Sequence, residues 1–138
     1  MRLLIDGNIL LDVLQNREAH VSDSVKIWKL CETKQAEGFV SGLTFSNLVY
    51  IMRKELTPEK INEVFRGLNI IFRFADLTIS DLAKAAEMQW ADFEDALQAV
   101  TAERIHADRI ITRNVRDFGE SRISALTPAE YLQECGMT

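Results

Sequence analysis

The run DFEDALQAVTAERIHADRIITRNVRDF, from Asp92 to Phe118, constrains the fold more than any other segment. It reads as a helix over Phe93 to His106, a buried strand over Arg109 to Thr112, and a polar strand end carrying Asn114 and Asp117. Ala96, Ala99 and Ala102 give the helix a small-residue inward face. The opening MRLLIDGNILLDVL supplies a second unit of the same kind. Arg2 to Ile5 is an apolar strand ending at Asp6, and Ile9, Leu10, Val13 and Leu14 then recur at helical spacing.

The segments between them continue the alternation. His20 to Gln35 reads as a helix that Gly38 ends before the apolar FVSG strand, and Leu43 to Lys54 as the helix that follows. Thr57-Pro58 and Thr127-Pro128 each place an N-cap before a proline at the first helical position, and Glu130 completes a capping box with Thr127. Ile70 to Phe74 reads as a third strand, Ser80 to Trp90 as a helix capped by Thr78 or Ser80, and Ile123 to Leu126 as a short fifth strand. Strands separated by helices of this length pair in parallel through right-handed crossovers, with helices on both faces. The expectation is one α/β domain over residues 1–138, a three-layer α/β/α sandwich on a mainly parallel sheet of four to five strands.

With 138 residues, 47% of them hydrophobic, the chain can bury one good core. Its two cysteines, Cys31 and Cys135, form neither a disulfide framework nor a zinc-ligand pattern, which fits a reducing cytoplasm. Asp6, Asn8 and Asp12 interrupt the apolar N-terminal run, so neither a signal peptide nor a membrane span is expected. A net charge of −5 argues against the broad basic surface of ordinary nucleic-acid binders. Positive charge would have to be local, and Arg113 and Arg116 beside the fourth strand are either that local charge or solvated loop residues.

Ligands of parallel sheets gather at the carboxyl ends of the strands, near the point where strand order reverses. Asp6 ends the first strand, and Asn114 and Asp117 follow the fourth. Asp92 and Asp95, three apart at a helix start, share one face if both are helical. Asp92 reads first as an N-cap. Asp95 directly precedes the small inward face, where close packing leaves a carboxylate either paired or on a metal. Hard cations such as Mg²⁺ and Mn²⁺ prefer such oxygen ligands.

Taken together, MRLLIDGNILLDVL, DFEDALQA, IITRN and VRDF closely resemble the PIN-domain family, which includes the toxin ribonucleases of VapBC-type toxin–antitoxin pairs. The resemblance implies an RNA-cleaving hydrolase using Mg²⁺ or Mn²⁺. Asp6, Asp95 and Asp117 match the family's metal-binding acids, and Asp92 matches an accompanying catalytic aspartate. Asn114 stands where many relatives carry aspartate, and Asn47 in SGLTFSNLVYIM where many carry glutamate. Asn47, Asn114 and Thr112 would then be polar supports around the ligands, Thr112 otherwise being an ordinary β-branched strand residue. Arg113 and Arg116 would contact RNA. A homodimer and a small inhibitory antitoxin are also implied. Two other readings stay open: a catalytically weak PIN-like module that binds RNA or protein, and a receiver-like signalling domain, which would need a lysine after a late strand where none follows Ile111.

Overall fold

The computed structural model describes residues 1–136. Along the chain it runs β1 (Arg2–Ile5), α1 (Gly7–Leu14), α2 (Val21–Glu32), β2 (Glu37–Ser41), α3 (Gly42–Ile51), α4 (Pro58–Ile71), β3 (Arg73–Ala75), α5 (Ile79–Met88), α6 (Phe93–Arg104), β4 (Arg109–Ile111), a 3₁₀ turn (Val115–Phe118), β5 (Ala125–Leu126) and α7 (Pro128–Glu134). The five strands form one sheet in the order β3-β2-β1-β4-β5. Every neighbouring pair is parallel, so the sheet reaches the upper end of the expected strand count with no antiparallel member.

The central strand explains the layering. Leu3, Leu4 and Ile5 are fully buried, and the strand's two-residue period sends them to opposite faces. Leu3 and Ile5 pack with Ile9 and Leu10 of α1, Ile27 of α2 and Tyr131 of α7. Leu4 packs on the other face with Phe39, Ile110 and the small side chains Ala99 and Ala102 of α6. Both faces are covered, which makes the three-layer sandwich. Among the described residues no helix is long and apolar enough to cross a membrane.

The caps fall where the local chemistry requires. Thr57 accepts from Lys60 N, Thr78 from Asp81 N, and Thr127 closes a full capping box with Glu130. Two expectations are corrected. Ile70 and Ile71 finish α4 rather than opening β3, which starts at Arg73. The helix buries Leu68 and leaves Ile70 75% exposed, and buried Phe72 makes the turn into the strand with its ring edge-to-face on Trp28. A run of β-branched and aromatic residues fits either element, and packing decided between them.

Gly38 does not end a helix either. It lies inside β2, and a Cβ there would stand 2.6 Å from Cys31 Sγ and 2.7 Å from Phe72 Cδ1. Its bare Cα is what lets α2 and the end of α4 close on the sheet.

Candidate active site

The strand order reverses between β1 and β4, and Asp6 sits at that reversal. Its backbone N–H donates to Ile111 O at 2.9 Å, continuing the β1–β4 ladder by one residue. Asp6 then becomes the N-cap of α1, with Oδ1 accepting from Gly7 N at 2.8 Å. Its Oδ2 accepts from the Thr112 hydroxyl at 2.8 Å and from Asn8 Nδ2 at 3.4 Å. Thr112 is fully buried and its Oγ1 also accepts from Asn114 N at 3.0 Å. One hydroxyl therefore ties the Asp6 carboxylate to the loop after β4.

The second acidic group comes from the start of α6. Asp92 is the N-cap, accepting from Asp95 N at 3.1 Å, so its capping role is borne out. That bond fixes the first turn and places Asp95, half-buried, beside Asp6. Burial pushes the Asp95 carboxyl up to about 6, with repulsion from Asp92, Asp117, Asp6 and Glu94 adding to it. Asp6 is likewise raised by burial, opposed by hydrogen bonds from Thr112, Gly7 and Gln98 and by the charge of Arg113.

Asp95 stands between two hollows. One, of about 230 Å³, is lined by Asp6, Asn8, Asn47, Glu94, Asp95 and Gln98 among others, with Asn114 at its edge. The other, of about 420 Å³, is lined by Trp90, Asp92, Asp95, Arg116 and Asp117. Asp6, Asn47 and Asn114 thus meet Asp95 on one side, and Asp92, Asp117 and Arg116 meet it on the other. Arg113 turns elsewhere. Its Nε lies 3.2 Å from Oδ2 of the fully buried Asp12, which also accepts from Ser24 Oγ at 2.8 Å. The Arg113 contact is an ion pair without hydrogen-bond geometry, since the N–H at Nε has no acceptor in line.

Among the described residues no three His, Cys, Asp or Glu side chains stand close enough to hold one ion as a ready cage. The donor chemistry still fits a hydrated hard cation, which takes one or two protein carboxylates and keeps several waters. Asp6 and Asp95 carry raised pKa values that a cation would relieve. The buried Oε1 of Gln98, in the same hollow, accepts no hydrogen bond.

Three residues of this region were missed in the sequence. Glu94 carries no distinguishing signal between the more prominent Asp92 and Asp95. Gln98 offered a usable signal, being the one amide among Ala96, Leu97, Ala99 and Val100 on the most buried stretch of α6. Asn8 gave none.

The raised Asp95 pKa has a measurable effect on stability. The folded state holds that proton more tightly than the unfolded chain, so metal-free protein loses stability as pH rises from about 4, the ordinary value being 3.8, through about 6. Asp95→Asn removes the term. In metal-free thermal melts the variant is expected to gain on wild type across that window and to hold a constant lead above it. A gap that does not change with pH would contradict the assignment.

The chain matches a sequence model described as PIN domain over residues 2–116 and belongs to that family, whose members are generally nucleases. The receiver-like reading is thereby set aside. The fold is similar to VapBC2 from Rickettsia felis, solved bound to a DNA fragment from its promoter, at a TM-score of 0.71 and 15% identity over 92% of this chain and 98% of that one. FitAcB from Neisseria gonorrhoeae matches at 0.68 and 20% identity, over 92% and 98% of the two chains. A toxin–antitoxin complex from Klebsiella pneumoniae matches at 0.69 and 21%, over 91% and 97%. A comparison with curated protein sequences finds no match.

Proposed function

We propose that the protein is a divalent-metal-dependent endoribonuclease and the toxin of a toxin–antitoxin pair. The observation that carries this reading is the convergence of Asp6 and Asp95 on one hollow at the strand-order reversal, each fixed by a cap or a buried hydroxyl. Asp6 and Asp95 would hold a Mg²⁺ or Mn²⁺ ion directly, and Asp117 would reach it from the adjoining hollow. Bound there, such an ion supplies an acidified water and neutralises charge developing on a phosphodiester.

The protein's own residues do the remainder. Thr112 and Gly7 N–H hold the Asp6 carboxylate in one orientation. Asp92 fixes the first turn of α6 and so the position of Asp95. Arg116, exposed along the second hollow, supplies the local positive charge that a chain of net charge −5 needs to hold a phosphate backbone. The likeness to a chain of a solved toxin–antitoxin complex supports a small antitoxin partner for this protein too, and a homodimer is proposed beside it. Asn47, neutral on the α3 wall of the hollow, favours a second reading: a module that binds RNA and cuts it weakly.

Incubating the antitoxin-free protein with a broad RNA panel tests the proposal. Internal cleavage with added Mg²⁺ or Mn²⁺, falling as salt rises, is the expected result. RNA bound but uncut across the panel would favour the second reading.

A further inference from the structure

We propose that Glu94 is a third carboxylate of the metal hollow, acting on the ion's bound waters and not as a direct ligand, and that Asn47 is the residue that positions it there. The inference rests on the metal-site reading above and extends it to a residue pair. Asn47 Nδ2 donates to Glu94 Oε2 at 3.2 Å, joining α3 to the first turn of α6 across 47 residues of chain. Both side chains line the same hollow as Asp6 and Asp95.

An acidic residue in the first turn of a helix is ordinarily explained by the helix dipole. That explains Glu94 having a negative charge but not its being tethered sideways to another helix. Among the described residues Glu94 has no salt-bridge partner, so its charge faces the hollow without a protein cation. Gln98 adds an independent observation. It lies one turn beyond Glu94 on the same face of α6, only 6% exposed, with Nε2 donating to Thr44 Oγ1 at 3.0 Å. Its Oε1 is left buried and without a donor, an unsatisfied polar atom on a residue that lines the hollow. The α3 wall brings an uncharged amide, and that amide holds in place the carboxylate that the α6 wall brings.

The pairing gives a direct test by Mn²⁺ paramagnetic resonance, reading the loss of free-ion signal on the whole protein without RNA. Glu94→Gln, on an exposed side chain, should keep the fold by circular dichroism and weaken Mn²⁺ binding by about tenfold or more. Asn47→Ala should weaken it by a smaller factor, about threefold, because Glu94 stays but is no longer held. Exchanging the two groups, Asn47→Glu with Glu94→Gln, returns a carboxylate to the hollow from the opposite wall and should restore binding to within about threefold of wild type. Asp6→Asn is the control and should lose binding. Wild-type affinity in Glu94→Gln with binding lost in Asp6→Asn would overturn the Glu94 assignment and leave the metal site standing. An exchange variant as weak as Glu94→Gln alone would also count against it. No Mn²⁺ binding by wild type would overturn both.

Discussion

Asp6→Asn is expected to slow metal-dependent RNA cleavage by about 10³-fold or more. Lewis-acid stabilisation of a phosphodiester transition state is worth several kcal/mol. At about 1.4 kcal/mol per tenfold in rate, losing about 4 kcal/mol of it gives that factor. The variant keeps one acceptor of the position and loses the other, because an amide Nδ2 cannot accept from the Thr112 hydroxyl as Oδ2 does. An asparagine Oδ1 can still accept from Gly7 N, so α1 remains capped. Burial raises the Asp6 pKa, so its charge is a cost to the metal-free fold that the neutral amide removes. The relieved burial cost and the lost Thr112 hydrogen bond oppose each other, so loss of activity should come with a fold retained by circular dichroism. Undiminished cutting by Asp6→Asn would mean a contaminant or a mechanism that does not use this carboxylate.

Gly38→Val should produce a large loss of stability from outside the site. The first added atom would meet Cys31 Sγ at 2.6 Å and Phe72 Cδ1 at 2.7 Å, before the branched methyl groups are placed. Neither neighbour can yield cheaply. Cys31 is fully buried on α2, and the Phe72 ring is buried and set edge-to-face on Trp28 with centroids 5.2 Å apart. Overpacking of this kind costs typically 1–3 kcal/mol and sometimes more, so a loss of about 3 kcal/mol is expected. For a domain of this size that is a fall of roughly 10 °C in Tm, read together with the urea midpoint. Adding Cys31→Ala should recover part of the loss, because it removes one of the two clashing atoms. A Gly38→Val protein as stable as wild type would mean that β2 and α2 stand farther apart than the structure has them.

That glycine also shows where the sequence stops being readable. As punctuation after a helical pattern Gly38 looked like a stop signal, and only the approach of α2 and Phe72 reveals it as a notch in a strand. The Ile70–Phe74 run was ambiguous for a related reason. Periodicity over five apolar residues cannot separate a helix end from a strand, and the burial of Leu68 settled it in favour of α4. Where chemistry is local the reading held. Thr57, Thr78, Asp92 and the Thr127–Glu130 box cap their helices within a few residues of chain, and β1 is a plain apolar run ended by a capping aspartate.

The site divides in the same way. Asp6 and Asp95 were conspicuous because strand ends and helix starts are legible, and their meeting follows from the crossover rules. The Asn47–Glu94 contact spans 47 residues and depends on α3 lying against α6, which no pattern within either helix announces. Arg113 pairs with Asp12, whose burial under Ser24 of α2 depends on packing between helices that are separate in sequence.

The central claim is that Asp6 and Asp95 together hold the ion on which RNA cutting depends, and calorimetric Mn²⁺ titration of wild type against the Asp6→Asn, Asp95→Asn double variant tests it most directly. Removing both charges from a hard-cation site should abolish measurable binding in the double variant, with wild type giving a saturable isotherm under the same conditions. Equal Mn²⁺ affinity in the two proteins would contradict the account.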